Sequence, residues 1–375
     1  MRIKALINKM YEKFILPRTI SKDILYEQHS EEWLEIHTIP EERRDDLTEA
    51  EKKEVLDLWG IKPHTWREYA CYKHARGFDA RFMPMSIYLP LITRRLNDYK
   101  YTKFFEHKSM LGYLVKGPIK FPHCYVRVVN GEMYDNEMQQ ITREEAIAIC
   151  LGQEKIVVKD SIDSSGGKDI DFLDFTGKSE QERRAAIEDQ MEKRGTDYVI
   201  QECLVEHESL RKFNPSSINT IRVQSLYLNQ KCTAVTTVIR IGAEGAKVDN
   251  VCMGGVTVGI HPDGRLYEYG FDNTALKMDR KGDFIFKDVV IEQIPARIEL
   301  ICDCHKKMFP LCKYIGWDIM FNENNEPVCI ELNSSQNGQL GFQFTYGPTF
   351  GDRTKEVIDY CNTKPFVYGR SVFSY

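Results

Sequence analysis

The segment spanning residues 314–338 constrains the fold of this chain more than any other. Two apolar runs, 315–321 and 328–332, flank a polar turn rich in asparagine, and this pattern predicts a β-hairpin. Asparagine tolerates positive φ, so Asn324 and Asn325 are predicted to form a tight two-residue turn. The turn determines which residues of the two strands lie opposite each other.

The predicted pairing of the two strands brings two carboxylates together. A two-residue turn places Asp318 opposite Glu331, and the side-chain period of two puts Asn333 on the same face as Glu331. Like charges directly opposite each other destabilise a sheet, so two carboxylates and an amide oxygen predict a shared hard cation such as Mg²⁺. A solvated hairpin face is the alternative. It is disfavoured by the apolar neighbours Trp317, Ile319, Cys329, Ile330 and Leu332.

The composition is that of an ordinary globular protein. The 375 residues suggest two or three domains, and the net charge of −5 gives no general attraction to nucleic acid, so no nucleic-acid partner is expected. The 11 cysteines are odd in number and scattered, which predicts reduced thiols in a cytoplasmic protein. No apolar run reaches the roughly 18 residues of a transmembrane helix, and we expect no signal peptide.

Residues 1–20 carry an apolar stripe with basic residues around it. A helix packed on its own domain is the favoured interpretation, because such stripes are the normal signature of a packed helix. A basic amphipathic helix in peripheral contact with a membrane surface or a partner is the alternative.

The rest of the first hundred residues is predicted to be mostly helical. The sequence pattern then becomes rich in strands. Thr48 and Glu51 form a capping-box pattern for a helix that runs through Trp59 and stops at Gly60. From about residue 101, β-rich runs and helices predict an α+β fold with a mostly antiparallel second half. Strands are predicted at 125–129, 155–158, 198–200, 221–228, 234–239 and 255–260, and helices at 143–151, 180–194 and 296–309.

A loop suited to phosphate follows the strand that ends at Lys159. Ser164, Ser165, Gly166 and Gly167 are small residues that let the backbone approach a ligand and ring an anion with N–H groups. The lysine adds a point charge suited to phosphate. The spacing is not that of a P-loop, and a flexible hairpin tip is the alternative.

Two arginines lie in or beside apolar strand patterns. Arg222 falls inside the run 221–228, and Arg240 follows the run 235–239. A buried arginine needs an anionic partner, which predicts either a bound anion or an internal salt bridge to Glu202 or Glu206.

The segment 302–312 contains cysteines and a histidine, which are possible zinc ligands. Cys302, Cys304, His305 and Cys312 lack the spacing of a standard zinc finger and lie on or near a predicted amphipathic helix. Buried structural cysteines are the favoured interpretation.

The order of these features resembles the ATP-grasp superfamily, and most closely the sugar-transfer-associated ATP-grasp family. A lysine, a second lysine with a Ser/Gly loop, an acidic hinge, a strand arginine and then Asp with Glu-x-Asn follow one another over about residues 104–351. The resemblance implies two α+β subdomains, 104–205 and 206–375, that clasp ATP behind a mainly helical N-terminal region, 1–103.

The resemblance also implies a nucleotide site. Lys108 and Lys159 are similar to the family's two phosphate lysines, and the loop 164–167 is similar to the one that closes over the β- and γ-phosphates. Glu208 falls where the family has a ribose-binding acid. Adenine is implied to bind a hinge whose first residue departs from the acid found in many members; the hinge is formed by Gln201, Glu202, Cys203 and Leu204.

Metal and acceptor residues are implied in the same way. Asp318, Glu331 and Asn333 match the family's ligands for Mg²⁺ or Mn²⁺, and Arg222 and Arg240 resemble basic residues near the γ-phosphate and an acyl phosphate. The loop after the last ligand, from 334 to 343, is where an acceptor site is predicted to begin, although it lacks the proline seen in several amino-acid ligases.

The function implied is that of an ATP-dependent carboxylate–amine ligase that forms ADP and phosphate through an acyl phosphate. The branch implies polysaccharide or glycan-precursor biosynthesis, with small-molecule or glycan-linked carboxylate and amine substrates. A small-molecule kinase and a non-catalytic nucleotide-binding scaffold are the alternatives. The sequence carries no signal for the identity of the substrates or for the oligomeric state.

Overall fold

A computed structural model describes residues 38–63, 65–98, 102–162, 170–246, 249, 254–335 and 337–364, except for the side chains of residues 89–91 and 103. Two predicted features lie outside the described residues. They are the amphipathic helix of 1–20 and the Ser/Gly loop of 164–167.

The described part of the N-terminal region, from residue 38 to 98, is mostly helical, as predicted. Helices α1 (Glu49–Trp59) and α2 (Arg67–Arg76) lead into an irregular stretch of short helical turns, Met85–Ile87, Tyr88–Thr93 and Arg94–Leu96. The capping box is present, because Thr48 accepts from the N–H of Glu51 at 3.3 Å and its own N–H donates to that glutamate at 2.7 Å. Gly60 ends α1 with φ 68°, a left-handed conformation that favours glycine.

A five-stranded antiparallel sheet in the order β2-β1-β5-β3-β4 forms the first β layer. Its buried face packs against two helices around a core that includes Ile147 and Ile187. The elements are β1 (Cys124–Val129), β2 (Glu132–Tyr134), β3 (Lys155–Asp160), β4 (Ile170–Asp174) and β5 (Tyr198–Glu202), with helices α3 (Lys108–Leu114), α4 (Arg143–Leu151) and α5 (Glu180–Lys193).

A seven-stranded antiparallel sheet in the order β10-β9-β8-β7-β6-β13-β14 forms the second β layer. One face buries Val223, Trp317 and Ile319 against helix α7 (Ile294–Met308) and the segments around it. Alternation puts Arg222 and Asp318 on the other face, which carries the candidate site. The strands are β6 (Ile221–Leu228), β7 (Lys231–Ile241), β8 (Val256–Ile260), β9 (Leu266–Phe271), β10 (Lys277–Met278), β13 (Tyr314–Phe321) and β14 (Pro327–Asn333), beside a two-stranded pair β11 (Arg280–Lys281) and β12 (Phe284–Ile285). The helices are α6 (Glu208–Arg211), α7 (Ile294–Met308), α8 (Leu340–Tyr346) and α9 (Thr354–Asn362).

The N-terminal helices share a hydrophobic core with the C-terminal part of the chain. Tyr72 stacks on Phe82 with ring centroids 4.6 Å apart and contacts Phe344 of α8 at 5.3 Å. Asn97 is fully buried and joins the same two regions. Its Nδ2 donates to the carbonyls of Tyr314 and Ser334, each at 2.5 Å, and its Oδ1 accepts from the N–H of Lys313 at 2.7 Å.

The α+β prediction with an antiparallel second half is confirmed. Of the six predicted strands, β1, β3 and β5 extend by one or two residues, β7 extends at both ends, β6 has the predicted bounds and β8 is one residue shorter. None of the helices in the described part of the chain is long and apolar enough to cross a membrane. The ten cysteines among the described residues are free thiols.

We expect Asn97→Ala to lower the free energy of unfolding by about 3 kcal/mol, because four hydrogen bonds to backbone groups of β13 and the loop after β14 are lost. Urea titration followed by tryptophan fluorescence measures the change. Asn362→Ala, at an exposed helix end, is the matched control and should leave the unfolding midpoint unchanged.

Candidate active site

The two strands of the hairpin pair in the predicted register, but the turn that joins them differs from the predicted one. Asp318 lies opposite Glu331 across β13 and β14. The predicted two-residue turn at Asn324 and Asn325 is wrong: three residues, 323–325, form the turn. Asn322 closes it by donating from its N–H to the carbonyl of Glu326 at 2.9 Å.

Local chemistry explains the longer turn. The side-chain Oδ1 of Asn322 accepts from the N–H groups of Asn324 at 3.1 Å and Glu326 at 2.8 Å, and Asn325 takes the left-handed conformation with φ 61°. The longer turn alone would shift the register by one residue. A bulge on β14, where Ile330 has no partner, shifts it back.

Asp318 lies at the centre of a buried ion cluster. Arg222, directly opposite it on β6, donates from Nε to Asp318 Oδ1 and from Nη2 to Oδ2 at 2.8 Å. Nη2 of Arg240 lies 3.3 Å from the same Oδ2. The side chains of Asp318 and Arg222 are only 3% and 7% exposed, so burial opposes ionisation of the carboxyl. The two arginines outweigh it and hold the pKa of Asp318 below its usual range.

The alternative of an internal salt bridge is therefore present, but with Asp318 and not with Glu202 or Glu206. Glu202 accepts from the N–H of His123 at 2.7 Å, whereas Glu206 is bonded by the N–H and side chain of Asn219, both at 2.8 Å. Burial raises the pKa of Glu206 to about 8, although those hydrogen bonds oppose the rise.

Arg240 is held from a second side as well. Its Nε donates to the hydroxyl of Thr220 at 2.9 Å and to Asp249 Oδ2 at 3.1 Å. The Nη1 atoms of Arg222 and Arg240 make no hydrogen bond with any described residue. The cluster thus fixes two guanidinium groups and leaves one donor nitrogen of each for a ligand.

The two predicted phosphate lysines approach the same hairpin from the first sheet. Lys108, at the start of α3, donates from Nζ to Glu331 Oε1 at 3.0 Å. Lys159, on β3, has no ion pair within the described parts of the chain. Burial and the charge of Lys108 lower its pKa to about 8, and Glu331 opposes that shift. An anion at this point would neutralise both lysines.

The predicted hinge lies at the end of β5. Gln201 is buried and donates from Nε2 to the sulfur of Cys124 at 2.9 Å, so it faces the interior. Residues 202–204 line a cavity of about 370 Å³, which the hairpin turn closes on the other side. Glu208 is exposed at the first turn of α6.

The oxygen atoms of the hairpin fit a hard cation. Asp318 uses three of about four lone-pair positions, and Glu331 Oε2 receives no hydrogen bond from the described residues. The buried Nδ2 of Asn333 has no partner there either, so nothing fixes which way this amide faces. Carboxylate and amide oxygens are the ligands that Mg²⁺ prefers.

Sequence reasoning missed the role of Gly316. It lies opposite Asn333, and a Cβ added to it would come within 2.0 Å of Asn337 Oδ1. The absent side chain lets Asn337 lie under the hairpin, where its Nδ2 donates to the carbonyl of Asn333 at 3.0 Å. A glycine inside an apolar strand was the signal that could have revealed this approach.

Gln343 and His305, from two other segments of the chain, make hydrogen bonds inside the protein. Gln343, in the predicted acceptor loop, is buried and bonds the backbone of Met83 and the hydroxyl of Tyr72. His305 hydrogen-bonds Ser225 at 2.7 Å and the carbonyl of Cys312 at 2.9 Å. Cys304 and Cys312 are buried free thiols, and Cys302 is a partly exposed one.

Comparison with known proteins identifies the family. A family model described as sugar-transfer-associated ATP-grasp matches residues 91–359. The chain belongs to this family. Its α+β architecture is accordingly an ATP-grasp fold, as the order of motifs implied. No curated protein sequence matches the chain.

Solved structures similar to this ATP-grasp protein are distant in sequence. The biotin carboxylase domain of 2-oxoglutarate carboxylase from Hydrogenobacter thermophilus, in complex with MgADP, ADP and bicarbonate, is 12% identical with a TM-score of 0.38 over 80% of this chain and 52% of that one. D-alanyl-alanine synthetase A from Vibrio cholerae is 12% identical with a TM-score of 0.37 over 66% and 61%. The D-alanine-D-alanine ligase from Coxiella burnetii is 14% identical with a TM-score of 0.32 over 64% and 53%. The chain thus spans half to three fifths of these proteins.

We expect MgADP binding at pH 8 to take up about half a proton, because Lys159 is then half deprotonated and bound phosphate favours its charged form. Calorimetry in two buffers of different ionisation enthalpy measures the uptake. It should vanish in Lys159→Met, and it should vanish in the unaltered protein at pH 6, where the lysine is already charged. An uptake that survives the substitution would contradict the assignment.

We expect the two hairpin carboxylates to differ in their contribution to stability. Asp318→Asn leaves the buried Arg222 without its anion and Arg240 with Asp249 alone, and should lower the free energy of unfolding by about 3–5 kcal/mol. Glu331→Gln breaks a partly exposed pair with Lys108, replaces the carboxylate by a neutral group of the same shape, and should cost about 1 kcal/mol. Urea unfolding of both variants tests the contrast, and equal losses would refute it.

Proposed function

We propose that this protein is an ATP-dependent carboxylate–amine ligase that releases ADP and phosphate and acts in the synthesis of a polysaccharide or glycan precursor. The observation that carries the proposal is the convergence of three charged groups on one hairpin. A carboxylate pair, Lys108 of α3 with Lys159 of β3, and two fixed arginines would together bind a nucleoside triphosphate and a second anion.

The nucleotide would bind between the two sheets. Lys108 and Lys159 would contact its phosphates, and the loop 164–167, which lies outside the described residues, would cover them. Adenine would hydrogen-bond the backbone of the hinge 201–204, with Glu208 on the ribose. These are positioning roles, and positioning with charge neutralisation is the main requirement of phosphoryl transfer.

The metal would bind the hairpin. Asp318, Glu331 and Asn333 would hold Mg²⁺ or Mn²⁺, which offsets the negative charge of the β- and γ-phosphates. Lys108 already lies 3.0 Å from Glu331, so the carboxylate is held in place before the cation arrives.

The carboxylate substrate would bind the Nη1 donors of Arg222 and Arg240. Its oxygen attacks the γ-phosphorus of ATP, the bond to the β-phosphate oxygen breaks, and ADP leaves. The amine then attacks the acyl carbon, loses a proton, and phosphate departs as the amide forms. Both arginines would stabilise the charge on the acyl phosphate, because they are already oriented by Asp318. We place the reaction in the cytoplasm, where ATP and reduced thiols coexist.

An ADP-release screen over pairs of carboxylates and amines tests the proposal. A ligase needs both partners for turnover, and hydroxylamine should trap the acyl phosphate as a hydroxamate. A stable phosphorylated product would instead indicate a kinase, and the absence of nucleotide turnover with every pair would indicate a scaffold.

We expect Glu331→Gln to lower kcat at least about 100-fold without loss of folding, because it removes a metal ligand but little stability. Glu299→Gln, at an exposed position of α7 on the other face of the second sheet, is the matched control and should retain activity. Unchanged turnover in Glu331→Gln would refute the metal assignment.

A further inference from the structure

A row of partly exposed aromatic side chains extends outward from the arginine cluster. Phe342 and Tyr346 lie four residues apart on α8, so they share one side of the helix. Tyr346 stacks on Tyr267 of β9 with centroids 5.5 Å apart and an interplanar angle of 18°, and Tyr267 stacks on His261 at 4.1 Å. We call these four residues the aromatic strip.

The aromatic strip is not part of any hydrophobic core of the described chain. All four side chains are partly exposed, and none is among the residues that form or pack against the three buried clusters. Aromatic residues usually stabilise a fold by burial. These residues therefore need another explanation.

The strip is continuous with the site. The guanidinium carbon of Arg222 lies 5.4 Å from the centre of the Phe342 ring, and the Nη1 atom of this arginine is left for a ligand. At the other end, Arg76 lies 5.5 Å from the centre of the Tyr267 ring and donates to the carbonyl of Thr345 at 2.9 Å. Cationic groups thus lie at both ends of an aromatic surface.

The position of the strip is fixed by the fold. A Cβ on Gly259 would come within 2.9 Å of Tyr267, so the ring lies flat against the backbone of β8. Helix α8 is held on the same sheet, because the hydroxyl of Thr345 donates to the carbonyl of Thr257 at 3.0 Å. A rigid surface of this kind loses little entropy when a ligand binds.

We propose that the aromatic strip binds sugar rings of an acidic glycan, with the carboxylate of one uronic acid unit at Arg222 and Arg240 and the neighbouring rings along Phe342, Tyr346 and Tyr267. A pyranose has an apolar C–H face and a polar rim, which suit aromatic faces bordered by tyrosine hydroxyls, imidazole and guanidinium. The positive charge at both ends favours a chain that carries a carboxylate on every ring.

This inference rests on the proposed function, since it names the substrate class of the same site, and it is tested by binding alone. Isothermal calorimetry with the full-length protein and MgADP would use trimers of galacturonic, glucuronic or mannuronic acid. Maltotriose, which has the rings without the carboxylates, and a tyrosine-containing acidic peptide are the comparison ligands. We expect at least one uronic acid trimer to bind more tightly than both.

Substitutions within the aromatic strip provide a second test of the inference. Phe342→Ala and Tyr346→Ala should each weaken binding of that trimer about tenfold, whereas Phe342→Tyr and Tyr346→Phe, which retain the rings, should bind within about twofold. The affinity for MgADP should be unchanged in all four variants. That unchanged affinity shows that the fold and the nucleotide site are intact.

Three results would overturn the inference: no binding of any trimer, equal binding of the peptide, or full affinity in both alanine variants. Failure of the ligase proposal would look different, because trimer binding and its loss in the alanine variants would persist without nucleotide turnover.

Discussion

The buried contact of Asp318 with Arg222 and Arg240 is the interaction on which the rest of the site depends. It joins β13, β6 and β7 through side chains on the one face of the second sheet that faces away from α7. Removing three charges from water is costly, and the cost is recovered only while the geometry holds all of them together. The same contact orients both guanidinium groups and leaves a donor on each. Stability and ligand binding therefore depend on one cluster.

The pairing of Asp318 with Glu331 could be predicted from the sequence, whereas the route to it could not. The longer turn and the bulge at Ile330 each displace the register by one residue, in opposite directions. The bulge lies where β14, an edge strand, meets a distant segment: Lys120 accepts at 2.8 Å from the N–H of Cys329. A contact between residues about two hundred positions apart leaves no periodic signal in either segment, so hydrophobic patterning detects the hairpin and not the bulge.

Partners of buried charges were harder to predict than the charges themselves. A lone arginine in an apolar strand indicates a buried anion, but several carboxylates satisfy that condition equally well in the sequence. Pairing of β6 with β13 puts Arg222 opposite Asp318, and this depends on the order of strands in the sheet. Asp249, which pairs with Arg240 at 3.1 Å, lies in the segment between β7 and β8, and its position there follows no periodic pattern. The family's motif order predicts which residues belong to the site, and the fold determines which of them touch.

The N-terminal region supports the proposed acceptor side of the site, which is held differently from the proposed nucleotide side. Asn97 fixes the start of β13 and the loop after β14, and Gln343 fixes α8 through Met83 and Tyr72. Residues that precede both sheets in sequence thus hold the surface on which Phe342 lies. The nucleotide side is held chiefly by Lys108 and Glu331, which are partly exposed. A ligand that brings charge can reorganise such a contact, whereas an uncharged ring needs a surface that is already in place. The helical region therefore supports the surface that we propose as the acceptor site.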